Sequence, residues 1–337
     1  MSASGVRVTA LEPVRAIEGG RLTLRGSGFP VDGPAPPQVL VGGTPARLAV
    51  FSSRTLVALV PPDLEGGRTP VRIEGVPGET AFVSIGRPVA TGLHQVDSPV
   101  FDRSGRLYVT YSGTRGQTAP VSLFTATPDG TRTPFVSGLV NPTSMTIGPD
   151  GRLYVSSRYE GRVYRIQSDG TFESIAHDLG VACGIAFDTS GALYAGDRSG
   201  TIFRVTPDGR TEAFATLPPS VAAFHLAMGP DAHLYVTAPT LGSADPVYRI
   251  DRQGRVETLP HLFGRPQGLA FDAAGRLFVT EALAGSSGVY RVPLDGGAPE
   301  LFVAGPAVIG LAFGPGGELA VASSDTVYLF PPDVSPG

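Results

Sequence analysis

Phe101-Asp102-Arg103-Ser104-Gly105-Arg106-Leu107-Tyr108-Val109 is the first of six copies of one phrase. The others are IGPDGRLYV from Ile147, FDTSGALYA from Phe187, MGPDAHLYV from Met228, FDAAGRLFV from Phe271 and FGPGGELAV from Phe313. Their starts lie 46, 40, 41, 43 and 42 residues apart. Each copy has a short apolar run, a Gly-containing turn and a second run. A third run then carries an alternating tetrad such as Val163-Tyr164-Arg165-Ile166 or Val289-Tyr290-Arg291-Val292. Runs this short, rich in β-branched and aromatic residues, are strands. Turns such as Asp169-Gly170 and Asp208-Gly209 suit hairpins, because Gly tolerates positive φ. A strand repeat of this period predicts a β-propeller of four-stranded antiparallel blades. The tetrad arginines are expected on the outer, wetter face, their neighbours packing between blades.

A ring left open exposes two sheet edges. Pro88-Val89-Ala90-Thr91-Gly92-Leu93 mirrors Pro134-Phe135-Val136-Ser137-Gly138-Leu139, the fourth strand of the first repeat. The last repeat reaches its third strand at Val327–Phe330 and has no fourth. The segment near residues 88–93 is therefore expected to close the sixth blade from the N-terminal side.

Residues 1–86 lack the repeat and read as a separate domain before a propeller over 87–337. Short strands at Arg21–Arg25, Val39–Val41, Ala46–Phe51, Thr55–Val60, Val71–Ile73 and Ala81–Ile85 suggest an immunoglobulin-like sandwich. The whole chain is thus all-β. Almost no linker separates Ile85 from Pro88, so the two domains are expected to sit close and rigidly.

Composition narrows the chemistry. Net charge is −4, there is no Lys, and the arginines from Arg21 to Arg72 are scattered, so a nucleic-acid partner is excluded. Without Lys there is no Schiff-base or lysine general base. Cys183 is alone and reads as a small buried residue. The start MSASGVRVTA has no apolar signal core, and no run is long enough to span a bilayer. The expectation is a soluble chain without membrane insertion, cytoplasmic or exported by a signal absent from this sequence.

Two resemblances follow from these phrases. Glu18-Gly19-Gly20-Arg21-Leu22-Thr23-Leu24-Arg25-Gly26-Ser27-Gly28-Phe29, Val41-Gly42-Gly43-Thr44-Pro45-Ala46 and Ser53-Arg54-Thr55-Leu56-Val57-Ala58-Leu59-Val60-Pro61 resemble the IPT/TIG family. That implies an Ig-like spacer or interaction module. The repeats resemble the NHL-repeat and senescence-marker-protein/gluconolactonase families over about residues 95–330. The latter implies a divalent cation such as Ca²⁺ or Mg²⁺ at the tunnel mouth, activating water against a lactone or ester. Asp97 stands where that family has its first acid. The equivalent places in later repeats are Thr143, Cys183, Phe224, Gln267 and Ile309, with neither Asn nor a carboxylate.

Asp97, Asp197 and Glu281 form an alternative cation set. Ser157, Arg158, Asp197 and Glu281 end the second runs of their blades and, with Asp97, His225 and Gln267, form the candidate ligand-binding rim. His225 replaces a small residue at the tunnel entry and, with Glu281, is the candidate general base of a cofactor-free lyase. No nucleophile elbow, zinc-protease, P-loop or dinucleotide motif occurs. The leading expectation is a non-enzymatic binding or scaffold protein for a protein, carbohydrate or small-molecule ligand, with no firm cofactor. The alternative is a gluconolactonase-like hydrolase with a degenerate metal site.

Overall fold

The computed structural model describes residues 5–33, 35–282 and 287–332, and every regular element among them is a strand. From Val100 onward six antiparallel sheets succeed one another, the first being Val100–Phe101, Leu107–Thr110, Leu123–Ala126 and Arg132–Val136. The sixth blade takes its outermost strand from Arg87–Ala90, which pairs with Val327–Phe330 and sets Pro88 opposite Tyr328. Past that strand the Leu93 N–H donates to the Asp325 carbonyl at 2.9 Å. The ring is closed where the repeat offset predicted.

The repeated phrase is a hydrogen-bonded unit. The Asp102 carboxylate accepts from the Ser104 and Arg106 amides at 2.9 and 3.0 Å, and Gly105 turns the chain at φ 84°. The phrase's tyrosine then donates back to its aspartate: Tyr108 to Asp102, Tyr154 to Asp150, Tyr194 to Asp188 and Tyr235 to Asp231, at 3.0–3.2 Å. In the fifth blade Phe278 stands in the tyrosine's place, and Asp272 takes the Arg276 guanidinium instead. The tetrad arginines lie on the outer face with acid partners, Arg165 on Glu173, Arg204 on Glu212, Arg249 on Asp231 and Arg291 on Glu300.

Burial, aided by the partner carboxylate, pushes the Tyr164 and Tyr194 phenols up to about 12. A phenol raised in the folded state favours the neutral form there. Its contribution to stability is complete below the ordinary value near 10 and is lost as pH climbs from about 10 to about 12. We expect tyrosinate absorbance in that window to rise together with loss of the β-sheet circular dichroism signal. Phenols that ionise well before unfolding would contradict this.

The N-terminal sandwich has one sheet of Arg7–Glu12, Arg21–Ser27, Thr55–Leu59 and Leu48–Phe51. Its other sheet runs through Val39–Val41, Gly67–Ile73 and Thr80–Ile85 and does not stop there. Arg15–Ala16 pairs in parallel with both Thr80–Ile85 and the outer strand of the fifth blade, Glu300–Ala304. One nine-stranded sheet thus spans both domains. The short linker predicted proximity; the shared sheet is a finding of the structure.

Candidate functional site

The inner strands ring a tunnel cavity of about 380 Å³, lined by residues such as Val100, Ser144, Ile185, Leu226, Leu269 and Leu311. Ladder registers align the blades along it. Met145 faces Val155, Ile185 faces Ala195, Leu226 faces Val236 and Leu269 faces Val279. One residue earlier in each strand come Ser144, Gly184, His225 and Gly268, and in the sixth blade Gly310. His225 therefore fills a slot that glycine keeps open in three other blades. A Cβ on Gly310 would meet the Ser98 backbone at 2.5 Å, and one on Gly268 would meet Ser98 Oγ at 2.8 Å. Those glycines let the segment before the first blade bend into the tunnel, where Ser98 Oγ accepts from the Leu311 amide at 3.3 Å.

That bend brings together three of the predicted residues. Asp97 Oδ1 lies 2.6 Å from His225 Nδ1, and Gln267 Oε1 lies 3.1 Å from His225 Nε2. The Ser98 amide donates to the same Asp97 oxygen at 2.5 Å. Asp97 comes from the first blade and His225 from the fourth, which face each other across a ring of six, so the bond bridges the tunnel. The imidazole is 1% exposed and Asp97 5%. A buried polar set of this kind is stabilising because its members satisfy one another.

The other rim residues are held separately. Asp197 accepts from the Val181 amide at 2.8 Å and from the Ser199 hydroxyl. A Cβ on Gly180, at φ 62°, would sit 2.6 Å from that carboxylate, so the turn needs glycine. Ser157 donates to the Val140 carbonyl at 2.6 Å and caps the Glu160 amide. Glu281 is half-buried opposite Pro266; burial raises its carboxyl above the usual range, and the Gly264 amide works against that rise. The three acids of the anticipated cation set are thus not gathered. Among the described residues no group of three or more His, Cys, Asp or Glu stands where it could hold a metal ion. Asp97, tied to His225 in a layer whose other members are Thr143, Cys183, Phe224, Gln267 and Ile309, does not fit the lactonase donor set.

Cys183 lies in that layer, 1% exposed, and burial pushes its thiol up to about 12. A thiol held protonated is a poor nucleophile. We expect no reaction with an aromatic disulfide reagent at pH 8 in the native protein and one equivalent after denaturation. Rapid labelling of the folded chain would contradict the burial.

Asn141 lies two residues before Thr143 and is fully buried. It organises the loop after the first blade's second strand. Its Nδ2 donates to the Ser112 and Thr114 carbonyls at 2.6 and 3.0 Å, and its Oδ1 accepts from the Gly116 amide at 2.7 Å. Its φ of 47° lies in the left-handed region, which Asn tolerates better than other side chains do.

Residues 7–85 match the IPT/TIG domain, and residues 105–316 match the Virginiamycin B lyase family. No curated protein sequence matches the chain significantly. Solved structures share the fold. A gluconolactonase from Xanthomonas campestris superposes with a TM-score of 0.61 at 15% identity, over 73% of this chain and 88% of its own. An auxiliary nutrient binding protein from Bacteroides ovatus gives 0.55 at 13%, over 98% and 99%. A virginiamycin B lyase from Staphylococcus aureus gives 0.53 at 17%, over 92% and 98%. No helix among the described residues is long and apolar enough to cross a membrane.

Proposed function

The chain belongs to the virginiamycin B lyase family, and from that premise we propose that it is a propeller that binds a small-molecule or carbohydrate ligand at its tunnel mouth without turning it over. The observation that carries this reading is the state of His225. A general base needs a free nitrogen within reach of the substrate proton. Both nitrogens of this ring already face protein partners, Asp97 and Gln267, and the ring is 1% exposed. Asp197 and Ser157 spend their polar atoms on loop geometry. What remains on that face is a set of polar rim residues above the buried Asp97, His225 and Gln267, and we read it as a binding surface. The nutrient binding protein of Bacteroides ovatus, alike over nearly its whole length, is in keeping with this. With residues 1–86 taken as one unit and 87–337 as the other, the Ig-like domain acts as an interaction module braced against the ring.

The test is isothermal titration with a panel of sugars, sugar lactones and quinupristin, the compound bound in a related lyase structure, with mass spectrometry of each mixture. Saturable binding without product is expected. Steady-state turnover of any lactone or ester that disappears in His225→Ala would overturn the proposal and install the lyase or hydrolase reading in its place.

A further inference from the structure

We propose that the mouth grips the oxyanion end of its ligand, a carboxylate or phosphate on a small organic molecule, between Arg158 and the flanking Arg115 and Arg198. The inference rests on the mouth being the ligand site. Ser157-Arg158 and Asp197-Arg198 are 40 residues apart, the same offset as their repeats. The ladders agree, with Pro142 facing Ser157 and Ala182 facing Asp197. Both arginines therefore leave the same rim on neighbouring blades. Arg115 comes to them on the loop wrapped round Asn141, and that loop lands Gly116 on the Tyr159 ring.

The rim arginines differ from those of the tetrads. Those of the tetrads, on the outer face, each have a carboxylate partner. Arg158 is half-buried at the rim, and neither it nor Arg115 makes an ion pair or hydrogen bond with the described residues. Among the described residues the Arg198 side chain reaches only the Val221 carbonyl, at 3.0 Å. The nearby carboxylates are engaged elsewhere: Asp197 on the Val181 amide, Asp97 on His225 and Glu160 on Tyr164. Burial pushes the Arg158 guanidinium below its ordinary value; the neighbouring Cys183 works against that, while Arg198 and Arg115 add to it. A cation held in such surroundings lacks a counter-charge. Planar guanidinium groups match carboxylate and phosphate oxygens two at a time, which selects oxyanions over neutral ligands. Ser112, at the position equivalent to Arg158 in the first blade, is fully buried with an unpartnered hydroxyl and lies beside the same loop.

The experiment is calorimetric titration of the full chain with succinate, with inorganic phosphate and with neutral glucose, at ionic strength matched by sodium chloride. Saturable binding of succinate, phosphate or both is expected, and which of them binds identifies the anion. Affinity should fall about tenfold in Arg158→Gln, fall less in Arg158→Lys, and stay unchanged in Arg210→Gln on the exposed outer turn. Failure of both anions to bind, or equal affinity in Arg158→Gln, overturns the inference. If glucose or another neutral panel member still binds and the anions do not, the binding reading stands and only the oxyanion grip falls. If nothing binds, both fall.

Discussion

Asp97→Ala lowers the stability of the propeller by about 3 kcal/mol, which at this size is a fall in Tm of roughly 6–12 °C. The bond it deletes joins opposite sides of the ring, so no neighbouring strand can substitute for it. The His225 nitrogen left behind is buried, and an unmatched buried polar group costs more than the bond itself contributed. His225→Ala strands the Asp97 carboxylate in the same place and is expected to cost at least as much. Asp97→Asn keeps an oxygen facing Nδ1 and should lose only about 1 kcal/mol. The double variant Asp97→Ala/His225→Ala removes both partners, so its loss should fall short of the sum of the singles by about 2 kcal/mol. Urea melts of the four proteins supply the cycle. Additive losses, or a single-variant loss under about 0.5 kcal/mol, would mean that the contact does not brace the ring.

How far this was readable beforehand depends on the range of each interaction. The ring and its closure were legible because each repeat is a local device. Asp102, Gly105 and Tyr108 complete their hydrogen bonds within a few residues, so selection on that turn leaves a similar phrase in each blade. Counting offsets also put Asp97 and Gln267 in one layer and marked His225 as the odd side chain in a glycine slot. Their joining was not legible. Asp97 and His225 are 128 residues apart, and their contact depends on the segment at Ser98 bending inward over Gly268 and Gly310. Pattern reading treats glycine in a strand as weakness, whereas here it is clearance. Ser157 and Asp197 looked like ligand contacts because polar residues at blade ends often are. Only the structure shows that a hydroxyl or carboxylate is already used up on a backbone group 17 or 16 residues earlier in the chain.

The shared sheet left the faintest trace in the sequence, since Arg15–Ala16 is a strand of two residues with no periodicity to read. Its consequence is carried by the next residue. The Ile17 amide donates to the Ala304 carbonyl at 2.9 Å, and its side chain leaves the sandwich to pack among Phe278, Val289, Val303, Val308 and Phe330 of the propeller. Ala304 makes the reciprocal move and is buried in the core of the sandwich. Two glycines receive the isoleucine: a Cβ on Gly305 would meet its Cγ1 at 2.4 Å, and one on Gly86 its Cγ2 at 3.0 Å. Ile17 is 1% exposed, so Ile17→Ala deletes a fully packed side chain and leaves a cavity, at a cost of about 2–5 kcal/mol. Because this side chain belongs to one domain by sequence and to the other by packing, the loss should fall on both. The parent protein is expected to melt in one calorimetric transition, and Ile17→Ala to move that whole transition downward. Ile17→Arg puts a charge where no partner can reach it, frees the sandwich from the fifth blade, and should split the trace in two. A parent trace with two separate transitions, or an Ile17→Ala melt superimposable on the parent, would show that the nine-stranded sheet joins the domains in space without coupling their folding.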